Sequence, residues 1–160
     1  MSNPPNWLPE ALQYGDFNGE WERFLVKVYE LFERDFKKSR PSYRGLPLEY
    51  DSRIEDGKEA VFWHLTSQYD AKTGNRQLDL RRCERIPWPR PIIEHSQDKQ
   101  LSVWKNRRGI EIRILLWFEE MDYLVVLKES PNTVILLTAY CTDREHTRRK
   151  LMDERKISFT

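Results

Sequence analysis

At 160 residues the chain has room for one compact domain, because domains commonly occupy roughly 100–200 residues. Hydrophobic residues make up 39% and aromatics 12%, too much apolar surface for a disordered chain even though 33% of residues are charged. No apolar run approaches the ~18 residues that cross a bilayer, and residues 1–10 lack the basic and apolar regions of a signal peptide, so a cytoplasmic protein with no membrane association is expected.

The two cysteines, Cys83 and Cys141, have no Cys-x-x-Cys spacing and are too few for a metal cage or a disulfide framework, which fits a reducing compartment. Net charge is +1, but basic and acidic residues number 9 and 13 over 1–71, 11 and 5 over 72–113, and 7 and 8 over 114–160. The middle block therefore carries an excess of positive charge. Screening over about 8 Å makes such a block, not the total charge, what an anionic partner would feel; the alternative is an ordinary solvated surface.

Along the chain, a proline-rich lead-in is followed by Trp21, Phe24, Leu25, Val28, Leu31, Phe32 and Phe36, whose three- and four-residue spacings predict a helix over about 18–38. Pro41, Gly45 and Pro47 should end it. Residues 59–66 read as a short helix or a buried strand, which periodicity alone does not decide. After a polar turn at Thr73-Gly74-Asn75 and a basic stretch over 76–85, the prolines of Pro87-Trp88-Pro89-Arg90-Pro91 predict a rigid extended connector.

The runs 101–106, 110–118, 123–128 and 133–140 are rich in β-branched and aromatic residues, and their short polar connections favour antiparallel hairpins. They predict a four-stranded meander with helices over one face and some other element over part of the second. Thr142-Asp143-Arg144-Glu145 has the form of a capping box, so a basic C-terminal helix is expected from about 143. The expected class is α+β: residues 1–50 a helical N-terminal extension, 56–143 the core, and 143–160 a closing helix.

Chemistry narrows by elimination. There is no glycine-rich phosphate loop, no Gly-x-Ser-x-Gly elbow, and no His/Cys/Asp cluster with zinc spacing. Of the three histidines, His64 stands among aromatics, either as a proton-transfer group or as a satisfied semi-buried residue, while His95 and His146 read as surface residues. Strand alternation sends Thr138 and Tyr140 to one face. Arg113 and Lys105 interrupt apolar strands, at the solvent face or toward a bound anion, and Arg81 and Arg85 share one side of a helical turn. Such an inventory suits RNA cleavage without metal or other cofactor: a base takes the 2′-hydroxyl proton, an acid protonates the leaving oxygen, and a cation stabilises charge on phosphorus.

The order of Phe62-Trp63-His64-Leu65-Thr66, Arg81-Arg82-Cys83-Glu84-Arg85-Ile86, Pro91-Ile92-Ile93, Tyr123-Leu124-Val125-Val126-Leu127 and Leu137-Thr138-Ala139-Tyr140 resembles the phage and prophage branch of the nuclease superfamily built on the barnase, EndoU, colicin tRNase and RelE-type fold. The resemblance covers about residues 56–143 and leaves 1–50 without a counterpart. It implies a toxin-like, metal-independent endoribonuclease of phage, prophage or bacterial-defence context, with a small, local RNA target and an immunity or antitoxin protein as a further partner. His64, Tyr140, Thr138 and Arg113 would be catalytic; Arg81, Arg82, Arg85, Lys105 and Trp88 would bind RNA. The competing expectation is a non-catalytic RNA- or protein-binding module on the same scaffold.

Overall fold

A computed structural model describes residues 3–158. In chain order its elements are α1 (Trp21–Phe32), β1 (Ser42–Tyr43), β2 (Leu46–Tyr50), β3 (Ile54–Glu55), β4 (Lys58–Glu59), α2 (Ala60–Thr66), β5 (Ser67–Tyr69), β6 (Arg76–Leu78), α3 (Leu80–Glu84), α4 (Pro89–Glu94), β7 (Ser102–Arg108), β8 (Glu111–Phe118), β9 (Tyr123–Ser130), β10 (Thr133–Cys141) and α5 (Glu145–Lys156). The class is α+β, as expected. The layout differs from a four-stranded antiparallel meander, because the main sheet has six strands in the order β1-β2-β10-β9-β8-β7, with β2 parallel to β10. Residues 1–50 are therefore more than a helical extension: they supply two strands of the sheet.

Side chains alternate between two apolar layers. Ile114, Leu116, Tyr123, Val125, Leu127, Val134 and Leu136 pack with Phe24, Val28, Phe32 and Phe62 of α1 and α2, and with Ile92 and Ile93 of α4. On the other face Trp104, Leu115, Trp117, Leu124 and Val126 pack under Leu151 of α5. Both faces of β8 and β9 are thus covered, which accounts for their continuous apolar runs. The predicted first helix ends its α-helical part at Phe32 and continues as one π-helical turn, Glu33–Lys37. Arg90 secures that end by donating through Nη1 to the carbonyls of Asp35 at 2.8 Å and Ser39 at 3.3 Å.

The proline-rich connector is a helix, not an extended segment. Pro89 and Pro91 occupy the first turn of α4, where a missing N–H leaves no helical hydrogen bond unmade and the fixed φ suits the helix. Trp88 precedes it at 4% exposure, donating its Nε1 to Pro9 O at 2.9 Å and meeting Tyr123 edge-on. The capping box is also corrected. Helix α5 begins at Glu145 with Arg144 at its N-cap and no side-chain cap, whereas Thr142 is fully buried and accepts a hydrogen bond from Trp117 Nε1 at 3.0 Å.

Replacing that hydroxyl by a methyl group leaves the indole N–H of Trp117 without a partner at constant side-chain shape. Thr142→Val is therefore expected to lower the unfolding free energy by about 1–3 kcal/mol in urea titration, with the slope of the transition unchanged.

Candidate functional site

Strand β10 is hydrogen-bonded to β9 along its whole length but to β2 only from Val134 to Leu136. Its register shifts between Leu136 and Thr138, and beyond this bulge α2 and α3 pack against the strand in place of β2. Here the C-terminal carbonyls of the short helix α2 find their partners. Ser67 Oγ donates to Trp63 O at 2.6 Å, and Asp79 N to Thr66 O at 2.9 Å. The carbonyl of His64 receives two donors from distant positions, Thr138 Oγ1 at 2.9 Å and Arg82 Nη1 at 3.2 Å. Arg82 Nη1 also donates to Ser67 O at 2.7 Å, and its guanidinium lies over the ring of Tyr140, 5.5 Å from the centroid. His64, Arg82, Thr138 and Tyr140 are thereby drawn together.

The register fixes which side chains share their face. Thr138 stands opposite Val126 and Tyr140 opposite Leu124, on the side covered by α5, and Arg113 shares that side with Leu115 and Trp117. Two clefts meet at Tyr140. One, about 340 Å³, is lined by Gln68, Asp79, Arg81, Arg82, Cys141, Asp143 and Arg144; the other, about 250 Å³, by Asn106, Arg108, Arg113, Leu115, Val126, His146, Lys150, Leu151 and Glu154. Tyr140 and Thr147 line both. Tyr140 therefore forms a wall between two basic clefts.

The other sequence expectations fare differently. His64 is exposed, and its imidazole lines neither cleft; the residue joins the group through its carbonyl. Lys105 alternates to the opposite face of the sheet, where it pairs with Glu129, so it does not belong to the surface around Tyr140. Trp88 is buried and has no face open to a base. Arg85 donates to Arg81 O at 3.2 Å and lies over the Trp88 ring, 5.2 Å from its centroid. His146 is exposed, as expected, and also lines the second cleft with Lys150 and Glu154. Their four-residue spacings along one helix face were the available signal.

Charge is less concentrated than its distribution along the chain suggested. Arg76 pairs with Glu55 and Asp56, Arg81 with Asp143, Arg82 with Asp79, Arg90 with Glu94, Arg108 with Glu154, and Arg113 with Glu111. Acidic residues from the first and last blocks, Glu55, Asp56, Asp143 and Glu154, thus fold onto the basic middle beside the block's own Asp79, Glu94 and Glu111, while Lys150 makes no ion pair among the described residues. The hydrogen bond from Arg81 holds the Asp143 carboxyl below its ordinary range. Burial raises the thiol of Cys141 and pushes Cys83 up to about 12, so neither is an activated nucleophile. Among the described residues no three His, Cys, Asp or Glu side chains gather as a metal site, and no helix is long and apolar enough to cross a membrane.

Comparison of the chain with protein families, with curated proteins and with solved structures found no match in any of the three.

Burial is the main cause that raises the phenol of Tyr140, with Glu154 adding to it and Arg82, Arg108 and Arg113 opposing it. The phenol therefore remains a proton donor through the neutral range. In an ultraviolet pH titration, the difference between the wild-type chain and Tyr140→Phe should show one phenolate forming above the ordinary tyrosine value of about 10. A difference spectrum that titrates below it contradicts the assigned burial.

Proposed function

We propose that this protein is a metal-independent endoribonuclease whose substrate strand crosses Tyr140 from one basic cleft to the other. The observation that carries the reading is the gathering around Tyr140 of Thr138, Arg82, Arg113 and His146 from four separate elements of the chain, with the His64 carbonyl bound by Thr138 and Arg82. The order of motifs, which resembles that of the barnase, EndoU, colicin tRNase and RelE-type nucleases, supports the same reading.

In this account Arg81 and Arg113 hold phosphate oxygens through their planar N–H donors, and Arg82 is kept over the Tyr140 ring by the two carbonyls that it caps. Tyr140 offers an aromatic face to a base and a protonated phenol to the backbone. His146, in the cleft beside Arg113, and His64, whose carbonyl is bound by Thr138 and whose exposed imidazole lies outside both clefts, are the candidates for base and acid. One takes the proton of the 2′-hydroxyl as its oxygen attacks phosphorus; the other protonates the departing 5′-oxygen. The product is a 2′,3′-cyclic phosphate. The abundance of ion pairs around the arginines favours a short single-stranded target over bulk duplex, since each phosphate contact must displace or share a carboxylate. A neutralising partner protein would act by covering the same clefts.

Incubation of the protein with a single-stranded RNA of mixed sequence in excess EDTA is expected to yield fragments ending in 2′,3′-cyclic phosphate. His64→Ala and His146→Ala should each slow cleavage by about 10²–10⁴-fold with RNA binding retained. Uncleaved RNA that is nevertheless bound would leave a binding module, and wild-type rates in both variants would remove the histidines from the mechanism.

A further inference from the structure

The main sheet ends in an open edge. One margin is the two-residue β1, but the other, β7, runs for seven residues without a bulge, and among the described residues β8 is its one strand neighbour. Gly109, at φ 62°, forms a two-residue turn with Ile110, so the closing pair Arg108–Glu111 is hydrogen-bonded, and alternation gives Asn106, Trp104 and Ser102 the same bonds to β8. Val103 and Lys105 fall between them and turn their N–H and C=O groups outward, where nothing among the described residues bonds to them. An edge of this kind is a template for another strand. A cleft of about 520 Å³ adjoins it on the α5 face, between Asn106, Arg107 and Arg108 of β7 and Lys150, Glu154 and Ile157 at the end of α5. Ile157 is 88% exposed there, and Ile110, at the hairpin tip, is 98% exposed; neither belongs to a core layer.

A row of outward main-chain donors and acceptors is matched in spacing by another main chain, so the occupant that satisfies it is an extended peptide, and charge selects which peptide. Three cations, Arg107, Arg108 and Lys150, stand against one carboxylate, Glu154, in the lining of the cleft, and Lys105 lies on the same edge. Pairing β7 with a second copy of itself would bring the basic residues of both chains into one ladder, where like charges are destabilising. We infer that β7 is a docking edge for an acidic, extended segment of a partner protein, which adds a seventh strand to the six-stranded sheet. Carboxylates of that segment stand opposite Lys105 and Arg107. Its alternate side chains are apolar and enter the cleft beside Ile157. The inference stands whether or not the chain cuts RNA.

The test is fluorescence anisotropy of the full chain with a short labelled peptide of alternating glutamate and valine, and with its counterpart carrying lysine for glutamate. The glutamate peptide is expected to bind about tenfold or more tightly than the lysine peptide. N-methylation of one alternate set of its backbone nitrogens should weaken binding by about tenfold, and of the other set leave it unchanged, because only one edge of a strand faces β7. Lys105→Glu should reverse the preference between the two peptides with the circular dichroism spectrum unchanged. Binding that tolerates N-methylation of either set, equal affinity for the two peptides, or no binding at millimolar concentration would overturn the docking edge. A chain that dimerises and excludes the peptide would overturn it in favour of a second copy.

Discussion

The candidate site depends on how the last carbonyls of α2 are satisfied. A helix of seven residues leaves its last C=O groups without helical partners, and each needs a donor from elsewhere in the chain or from water. Ser67 and Asp79 take the carbonyls of Trp63 and Thr66 from nearby in sequence. The carbonyl of His64 is taken by Thr138, 74 residues away, and by Arg82. That double cap ties α2 and α3 to β10 at the point where β2 stops pairing with it. A guanidinium held by two carbonyls is also a fixed platform, so the positions of Arg82 and of the Tyr140 ring beneath it follow from the same bonds.

The sheet supplies the second half of the arrangement. Because β8 and β9 are buried on both faces, a charged residue in them can persist only where the covering layer opens, and Arg113 marks such an opening at the edge of the α5 layer. The apolar row Trp104, Leu115 and Val126 next to it is continuous with Leu151, so the helix is anchored at its centre while its polar face borders the cleft. Long side chains there are restrained by ion pairs such as Arg108–Glu154, at 3.2 Å. A binding strand would exchange those partially exposed pairs, each worth little on its own, for phosphate or base contacts.

Much of this was legible in the sequence where the signal is local. The hydrophobic stripe of α1, the runs that became β7 to β10, and the alternation that sets Thr138 and Tyr140 on one face all follow from periodicity. Non-local partners were not legible. Nothing near Leu46-Pro47-Leu48 announces a strand parallel to β10, because parallel pairing leaves no hairpin signature. The prolines around Trp88 read as breakers although two of them lie in the tolerated first turn of a helix. Thr142 matched a capping motif and was claimed instead by a buried indole N–H from another strand. The burial of Trp88 and the strand parity of Lys105, which place both away from Tyr140, depend on non-local packing and register. The basic middle block was real in sequence yet mostly neutralised in space, since Glu55, Asp56, Asp143 and Glu154 from elsewhere in the chain join the block's own Asp79, Glu94 and Glu111.

Under the proposed nuclease function, one surface, spanning the end of α2, the second half of β10 and the first turns of α5, receives the RNA. The most direct measurement is backbone amide hydrogen exchange with and without a short single-stranded oligoribonucleotide made uncleavable by 2′-O-methylation. The account predicts slowed exchange confined to segments around residues 64–68, 79–85, 106–113 and 138–150, with the opposite face, including Lys105 and Glu129 side-chain surroundings near Tyr43, unchanged. Protection centred on that opposite face, or none at saturating oligonucleotide, would contradict it.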